Sequence, residues 1–257
     1  MNRFQSLEKL LPLMKNGKYC LIGAGPSLDL CLQEIEECLK NNFVFLISDS
    51  VAVSFLKRFP ESKRIIFTVE NRYHSYLKRL ENENIAVYIN YNERNIPRNK
   101  KNNIFGFQFV FDAPEKHKNM IRLISAGTVA GAMFSWVLYA AKILKFDNKP
   151  ELTLLGTDLA YIDGMVYSKF FLSKHHDSSC FLNRETHEYL ASLKKSSYAW
   201  VKHDQIIKTS EEFYQTKKNL EKIIDTINFP LNIYDYSPLG INSAKVEKKI
   251  PSSLKHF

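Results

Sequence analysis

A chain of 257 residues, 45% of them apolar, is large enough for one α/β domain and too rich in core residues to be disordered. Its formal charge of +9 is spread along the sequence, with small clusters at residues 98–101 and 245–249. That pattern lacks the basic stripe with interleaved aromatics of a nucleic-acid binder, so no nucleic-acid partner is expected. The charge suits an anionic small-molecule substrate and leaves peripheral contact with an anionic membrane open.

Residues 1–15 form an amphipathic pattern interrupted by Glu8, Lys9 and Pro12, which predicts an N-terminal amphipathic helix. The pattern lacks the apolar run and small-residue cleavage site of a signal peptide, so a cytoplasmic protein is expected. Cys20, Cys31, Cys38 and Cys180 fall at no metal-ligand spacing and suggest no disulfide scaffold.

Strand-length apolar runs then alternate with helical patterns. Residues 19–22 precede a glycine turn and a helix over 28–40. Residues 43–47 precede a helix over 51–58, and 64–69 a helix over 73–80. Further strands are predicted at 85–89 and 107–111, separated by a polar surface loop over 90–103. The nearly uncharged segment 126–144, with a helix over 127–144, is almost long enough to span a bilayer. It carries Gly131 and Ser135 and ends in a polar turn, which favours a helix buried against a sheet and no transmembrane span.

A strand at 152–155 ends in Gly156-Thr157-Asp158. Residues 163–202 are irregular and make a candidate lid; a helix over 210–227 and a strand over 231–236 close the pattern. The reading is a single α/β domain: a Rossmann-like, mainly parallel sheet flanked by helices, with a helical or loop insertion after the Gly-x-Asp strand. Ligands on such sheets bind beyond the carboxyl ends of the strands.

Four strand ends carry candidate chemistry. In Gly23-Ala24-Gly25-Pro26-Ser27-Leu28-Asp29 the glycines allow a tight turn and close ligand approach. The following helix would offer its amides to an anion, Pro26 suits a first helical turn, and Ser27 adds a hydroxyl. Leu28 replaces the third glycine of the dinucleotide pattern, which weakens an NAD or FAD reading. Asp49 and Glu70 follow the second and third strands, where acids either accept from a sugar hydroxyl or cap a helix.

Asp158 directly follows a buried strand, a position core packing explains poorly. Tyr161 and Tyr167 nearby either donate to a phosphate or pack as half-buried aromatics. His175-His176-Asp177 is either a solvated turn or the source of a general base. No Asp-x-Asp pair is present to clamp a metal-bound diphosphate, and no metal site is expected.

Three blocks in this order, residues 23–29, then Ser125-Ala126-Gly127-Thr128-Val129, then Leu155-Gly156-Thr157-Asp158-Leu159-Ala160-Tyr161, resemble the core domain of the motility-associated factor glycosyltransferases of flagellin modification. That domain family also includes archaeal 6-hydroxymethylpterin pyrophosphokinases. More distantly, the blocks resemble the sialyltransferases of glycosyltransferase family 42. The resemblance covers about residues 19–236; Ile233-Tyr234-Asp235-Tyr236-Ser237-Pro238 looks like the last strand and turn of those transferases, whereas Ala24 stands where the sialyltransferases carry Asn.

The resemblance implies transfer of a nonulosonic sugar (sialic, pseudaminic or legionaminic in type) from a CMP donor to a hydroxyl of a glycan or protein acceptor. No cofactor is implied beyond the donor. It assigns Gly23, Ala24, Gly25, Pro26, Ser27, Ser125, Gly127 and Thr128 to the nucleotide, Tyr161 and Tyr167 to its phosphate, and His175 or His176, with Asp158, to catalysis. Two alternatives stand beside it: a diphosphotransferase of the pterin pyrophosphokinase kind, and a nucleotide-binding module without catalysis.

Overall fold

A computed structural model of the chain describes residues 5–68, 86–88, 104–109, 121–123, 128–160, 168, 196–202 and 205–254. The candidates Glu70, Ser125, Gly127, Tyr161, Tyr167, His175 and His176 lie outside them, as do the helix expected at 73–80 and most of the candidate lid.

The strands of the main sheet are β1 (Gln5–Ser6), β2 (Lys18–Ile22), β3 (Val44–Ser48), β4 (Lys63–Thr68), β5 (Ala86–Tyr88), β6 (Ile104–Gly106), β9 (Glu151–Leu155), β12 (Asn232–Asp235) and β13 (Val246–Lys248). Short β7 (Gln108–Phe109) and β8 (Arg122–Leu123) pair separately, as do β10 (Ser196–Lys202) and β11 (Gln205–Ser210). The nine-stranded sheet has the order β1-β6-β5-β4-β3-β2-β9-β12-β13. Every pairing within it is parallel. From β2 the chain builds outward through β3 to β6, then returns to place β9 on the other side of β2. The direction of winding therefore reverses between β2 and β9, the position beyond whose carboxyl strand ends open parallel sheets bind their ligands.

Side-chain alternation divides the core into two layers. Tyr19, Leu21, Val44, Leu46, Leu152 and Leu154 face α3 (Val129–Ile143) and α4 (Glu211–Asp225). Cys20, Ile22, Phe45, Ile47 and Leu155 face α1 (Leu32–Lys40) and α2 (Asp49–Arg58). The uncharged segment is the 15-residue α3, whose Trp136, Phe134 and Met133 are buried against the sheet. Among the described residues no helix is long and apolar enough to cross a membrane.

Three expectations are corrected. The N-terminal segment is a 3-10 helix, Leu7–Asn16, which accommodates Pro12 and buries Leu7, Leu10 and Met14. The helix expected over 28–40 is broken: a 3-10 turn, Pro26–Leu30, leads into α1, so no long helix points its N-terminus at the glycine turn. The strand expected at 107–111 is β7, a partner of β8, while the sheet strand is the earlier β6. The end of the irregular 163–202 region is itself ordered, as the antiparallel hairpin of β10 and β11.

Candidate functional site

The glycine turn after β2 and the Gly156-Thr157-Asp158 turn after β9 meet at the reversal point because their strands are neighbours, with Ile22 paired to Leu155. The backbone stitches them together: Gly23 N donates to Leu155 O at 2.9 Å and Gly25 N to Gly156 O at 2.8 Å. Ser27 N donates to Asp158 Oδ2 at 2.9 Å. A Cβ on Gly25 would collide with that carboxylate and come within 2.7 Å of the Gly156 carbonyl oxygen. Gly156 itself has φ +65°, a left-handed conformation that glycine adopts freely.

One main-chain amide of this turn, that of Ser27, therefore donates to an anion, and the anion is the protein's own Asp158; those of Gly23 and Gly25 donate to backbone carbonyls. The three amides at positions expected to face a ligand phosphate are engaged by β9 and its turn. Asp158 is fully buried. Burial pushes its carboxyl up to about 6, and the nearby Asp235 adds to this. The Ser27 amide and hydroxyl and the Lys248 ammonium pull it back only in part. A group so enclosed pins the turn.

Two polar atoms at this junction stay unmatched. Ser27 Oγ and Asp158 Oδ1 are buried with no hydrogen-bond partner among the described residues. The Ser27 hydroxyl acts on the carboxyl through space without a bond in good geometry. Leu159, the next residue, has φ +51°, uncommon for a residue with a side chain. Thr209 of β11 donates through its hydroxyl to the Leu159 carbonyl at 2.8 Å, so the hairpin braces the strained position.

The remaining candidates separate. Ala24 accepts from Ser168 N at 2.8 Å, and the Ser168 hydroxyl donates to Asp29. The segment following β9 thus returns to the glycine turn at the residue next to Tyr167. Pro26 is buried in the 3-10 turn. Asp49 is buried at the first residue of α2, where its Oδ1 accepts from Ser50 N at 2.8 Å. That is a helix-start role, favoured by the positive end of the helix dipole. Thr128 caps α3, its hydroxyl accepting from Gly131 N at 3.2 Å.

A buried network at the β12 end was not assigned from sequence. Asp235, fully buried, accepts from Ser237 N at 2.8 Å and Ile241 N at 3.1 Å, and pairs with Lys248 Nζ at 2.6 Å. Ser237 Oγ in turn accepts from Thr157 N at 2.8 Å, which ties the β12 turn to the β9 turn. The strand-end Asp235-Tyr236-Ser237 was the available signal. Lys248 lies on β13, and only the parallel β12–β13 pairing brings it to the acid.

No protein-family model and no curated protein matches the chain. Among solved structures it is similar to a MAf glycosyltransferase from Magnetospirillum magneticum AMB-1, at a TM-score of 0.56 and 15% sequence identity. The match covers 98% of this chain and 39% of that one, so the chain spans about two fifths of that protein's length. At this identity the likeness is one of fold.

Proposed function

We propose that the chain is a glycosyltransferase that moves a nonulosonic sugar from a CMP donor to an acceptor hydroxyl. The observation that carries the reading is the junction of the two turns at the point where the sheet reverses, with Ser27 Oγ and Asp158 Oδ1 buried there without a hydrogen-bond partner among the described residues. A parallel sheet binds nucleotides in such a crevice. The fold likeness to a protein named as a glycosyltransferase supports the same class, and the +9 charge favours an anionic donor.

In this reading the nucleotide lies beyond the carboxyl ends of β2 and β9, with the Ser27 hydroxyl as a donor to it. Gly23, Gly25 and Asp158 hold the shape of the crevice floor. Ser125, Gly127, Tyr161 and Tyr167 follow β8 and β9 in sequence and complete the donor site, the tyrosines at the phosphate. The acceptor oxygen bonds to the anomeric carbon as the bond from that carbon to the CMP oxygen breaks. CMP leaves with the electron pair, and the acceptor proton passes to His175 or His176. A positioned histidine base contributes about 10²–10⁴-fold to such a step. Donors at the departing phosphate supply electrostatic stabilisation.

Thermal unfolding with a nucleotide panel tests the proposal. CMP without metal should raise the melting temperature, since a ligand at ~100 times its dissociation constant adds about 2.7 kcal/mol. Stabilisation by ATP with Mg²⁺ alone would replace the reading with a diphosphotransferase. No shift with any nucleotide would overturn it.

A further inference from the structure

Two aliphatic side chains lie open on one edge of the molecule: Leu13, 38% exposed, on the N-terminal 3-10 helix, and Ile143, 53% exposed, at the end of α3. The fold brings them together. Tyr139, one turn before Ile143, donates through its hydroxyl to Glu8. Gly17 backs onto the Phe146 ring, which a Cβ there would meet at 3.1 Å, and its carbonyl accepts from Glu151 N at 2.7 Å. The 3-10 helix therefore runs alongside the end of α3, and Leu13 and Ile143 both fall between these contacts. The edge lies at the amino ends of β2 and β9, the opposite end of the sheet from the glycine turn.

Lysines surround the pair. Lys15 follows Leu13, Lys142 precedes Ile143, and Lys145 and Lys149 come after it. All four are exposed, and none is held in an ion pair among the described residues. Asp147 is the one acid between Lys142 and Lys149, while Glu8 is offset by Lys9 and Glu151 by Lys18. Four lysines against one carboxylate give the edge a formal charge of +3. Lys142, in the last turn of α3, is accounted for by the negative end of the helix dipole. Lys145 and Lys149 lie beyond the helix, where that dipole has faded, and it gives no reason for an exposed Ile143.

Exposed aliphatic side chains set among lysines match a surface that is anionic outside and apolar beneath. A protein partner would be met by Tyr, Trp and Arg, with lysine depleted. Lysine is a flexible point charge, suited to a diffuse anionic layer. We propose that this edge docks on an anionic phospholipid bilayer, with Leu13 and Ile143 entering the headgroup layer and the lysines held at lipid phosphates. The contact is peripheral, because no described helix is long and apolar enough to cross a membrane. Docked in this way, the chain turns the glycine-turn end of its sheet away from the lipid.

Co-sedimentation of the full chain with vesicles tests this surface. At low salt the chain should sediment with vesicles of equal parts phosphatidylcholine and phosphatidylglycerol, and stay in solution with phosphatidylcholine alone. High salt should release it. Each lysine near an anionic surface contributes about fivefold, so the double change Lys145→Gln, Lys149→Gln should weaken binding about 25-fold. Ile143→Ser should weaken it roughly tenfold through lost apolar burial. The double lysine variant should keep the wild-type melting temperature, which separates loss of docking from loss of fold. The proposal is overturned if the chain binds neither vesicle, if it binds both equally, or if the variants bind as wild type does. Binding to polyglutamate and not to vesicles, lost in the lysine variant, would assign the edge to an acidic protein and overturn it as well. No step needs a nucleotide, so failure here leaves the donor reading untouched.

Discussion

Ser27 and Asp158 are joined by a hydrogen bond of 2.9 Å from amide nitrogen to Oδ2, across 131 residues of sequence. The bond closes the turn after β2 onto the turn after β9. A carboxylate enclosed in this way is held by geometry at a cost in solvation, because burial disfavours its charged form. The junction therefore couples the shape of the crevice to the ionisation of one side chain.

That coupling has a defined sign. The folded-state pKa of Asp158, about 6, lies above its ordinary value of 3.8, so the folded chain holds the proton more tightly than the unfolded one. Its contribution is greatest below the unfolded value and is lost as pH rises through about 6. The shift corresponds to about 3 kcal/mol. Asp158→Asn keeps an acceptor for Ser27 N and cannot ionise. Urea unfolding at pH 4 and pH 7 should show the wild type losing about 2–3 kcal/mol relative to this variant. Parallel pH profiles for the two proteins would show that the carboxyl does not titrate in this range.

Substitutions at the glycine turn separate shape from ligand contact. Gly25→Ala drives a Cβ into Asp158 and the Gly156 carbonyl, and overpacking of this kind costs about 1–3 kcal/mol. Ser27→Ala removes a hydroxyl that has no hydrogen-bond partner among the described residues, so stability should change by no more than about 0.5 kcal/mol. If the hydroxyl contacts the donor, Ser27→Ala alone should lower the CMP-induced melting shift without moving the unliganded melting temperature. An unchanged shift would remove Ser27 from the donor site.

Lys248 supplies the only cation within ion-pair distance of Asp235 among the described residues. Its side chain is 34% exposed while the acid is fully enclosed. Lys248→Met leaves Asp235 with its two amide donors but without a countercharge. A loss of about 1–3 kcal/mol follows, measured by urea unfolding at pH 7. The complementary Asp235→Asn, in which the buried charge is absent, should make the further Lys248→Met change nearly neutral. Additive effects of the two changes would argue against the pair.

The continuous apolar runs at 19–22, 43–47 and 152–155, spaced by helical patterns, were enough to read the parallel sheet, because strands buried on both faces carry apolar residues at successive positions. That ligands on such a sheet bind beyond the carboxyl ends of its strands pointed to both turns, but their meeting was not legible. The Ser27 amide bonds Asp158 only because β9 lies beside β2, a pairing between distant segments. The break between Pro26–Leu30 and α1 was hidden for a local reason: apolar spacing in residues 28–40 fits either helix type. The cap at Thr128 was not legible either, because it depends on where α3 starts and shows only in the bond from Gly131 N.

That bond yields a last test. Thr128 has the extended backbone of an N-cap, φ −137° and ψ 165°, and its hydroxyl satisfies one of the unpaired amides of the first turn of α3. Helix α3 packs its Trp136 and Met133 against the sheet, so fraying at its start loosens the layer behind β2 and β3. Thr128→Ala should cost about 1 kcal/mol, and Thr128→Ser, which keeps the acceptor, no more than a few tenths. Because the hydroxyl is committed to the cap, the CMP-induced melting shift should be the same in both variants as in the wild type. A shift lost in Thr128→Ala and retained in Thr128→Ser, beyond the difference in unliganded stability, would return this hydroxyl to the nucleotide site.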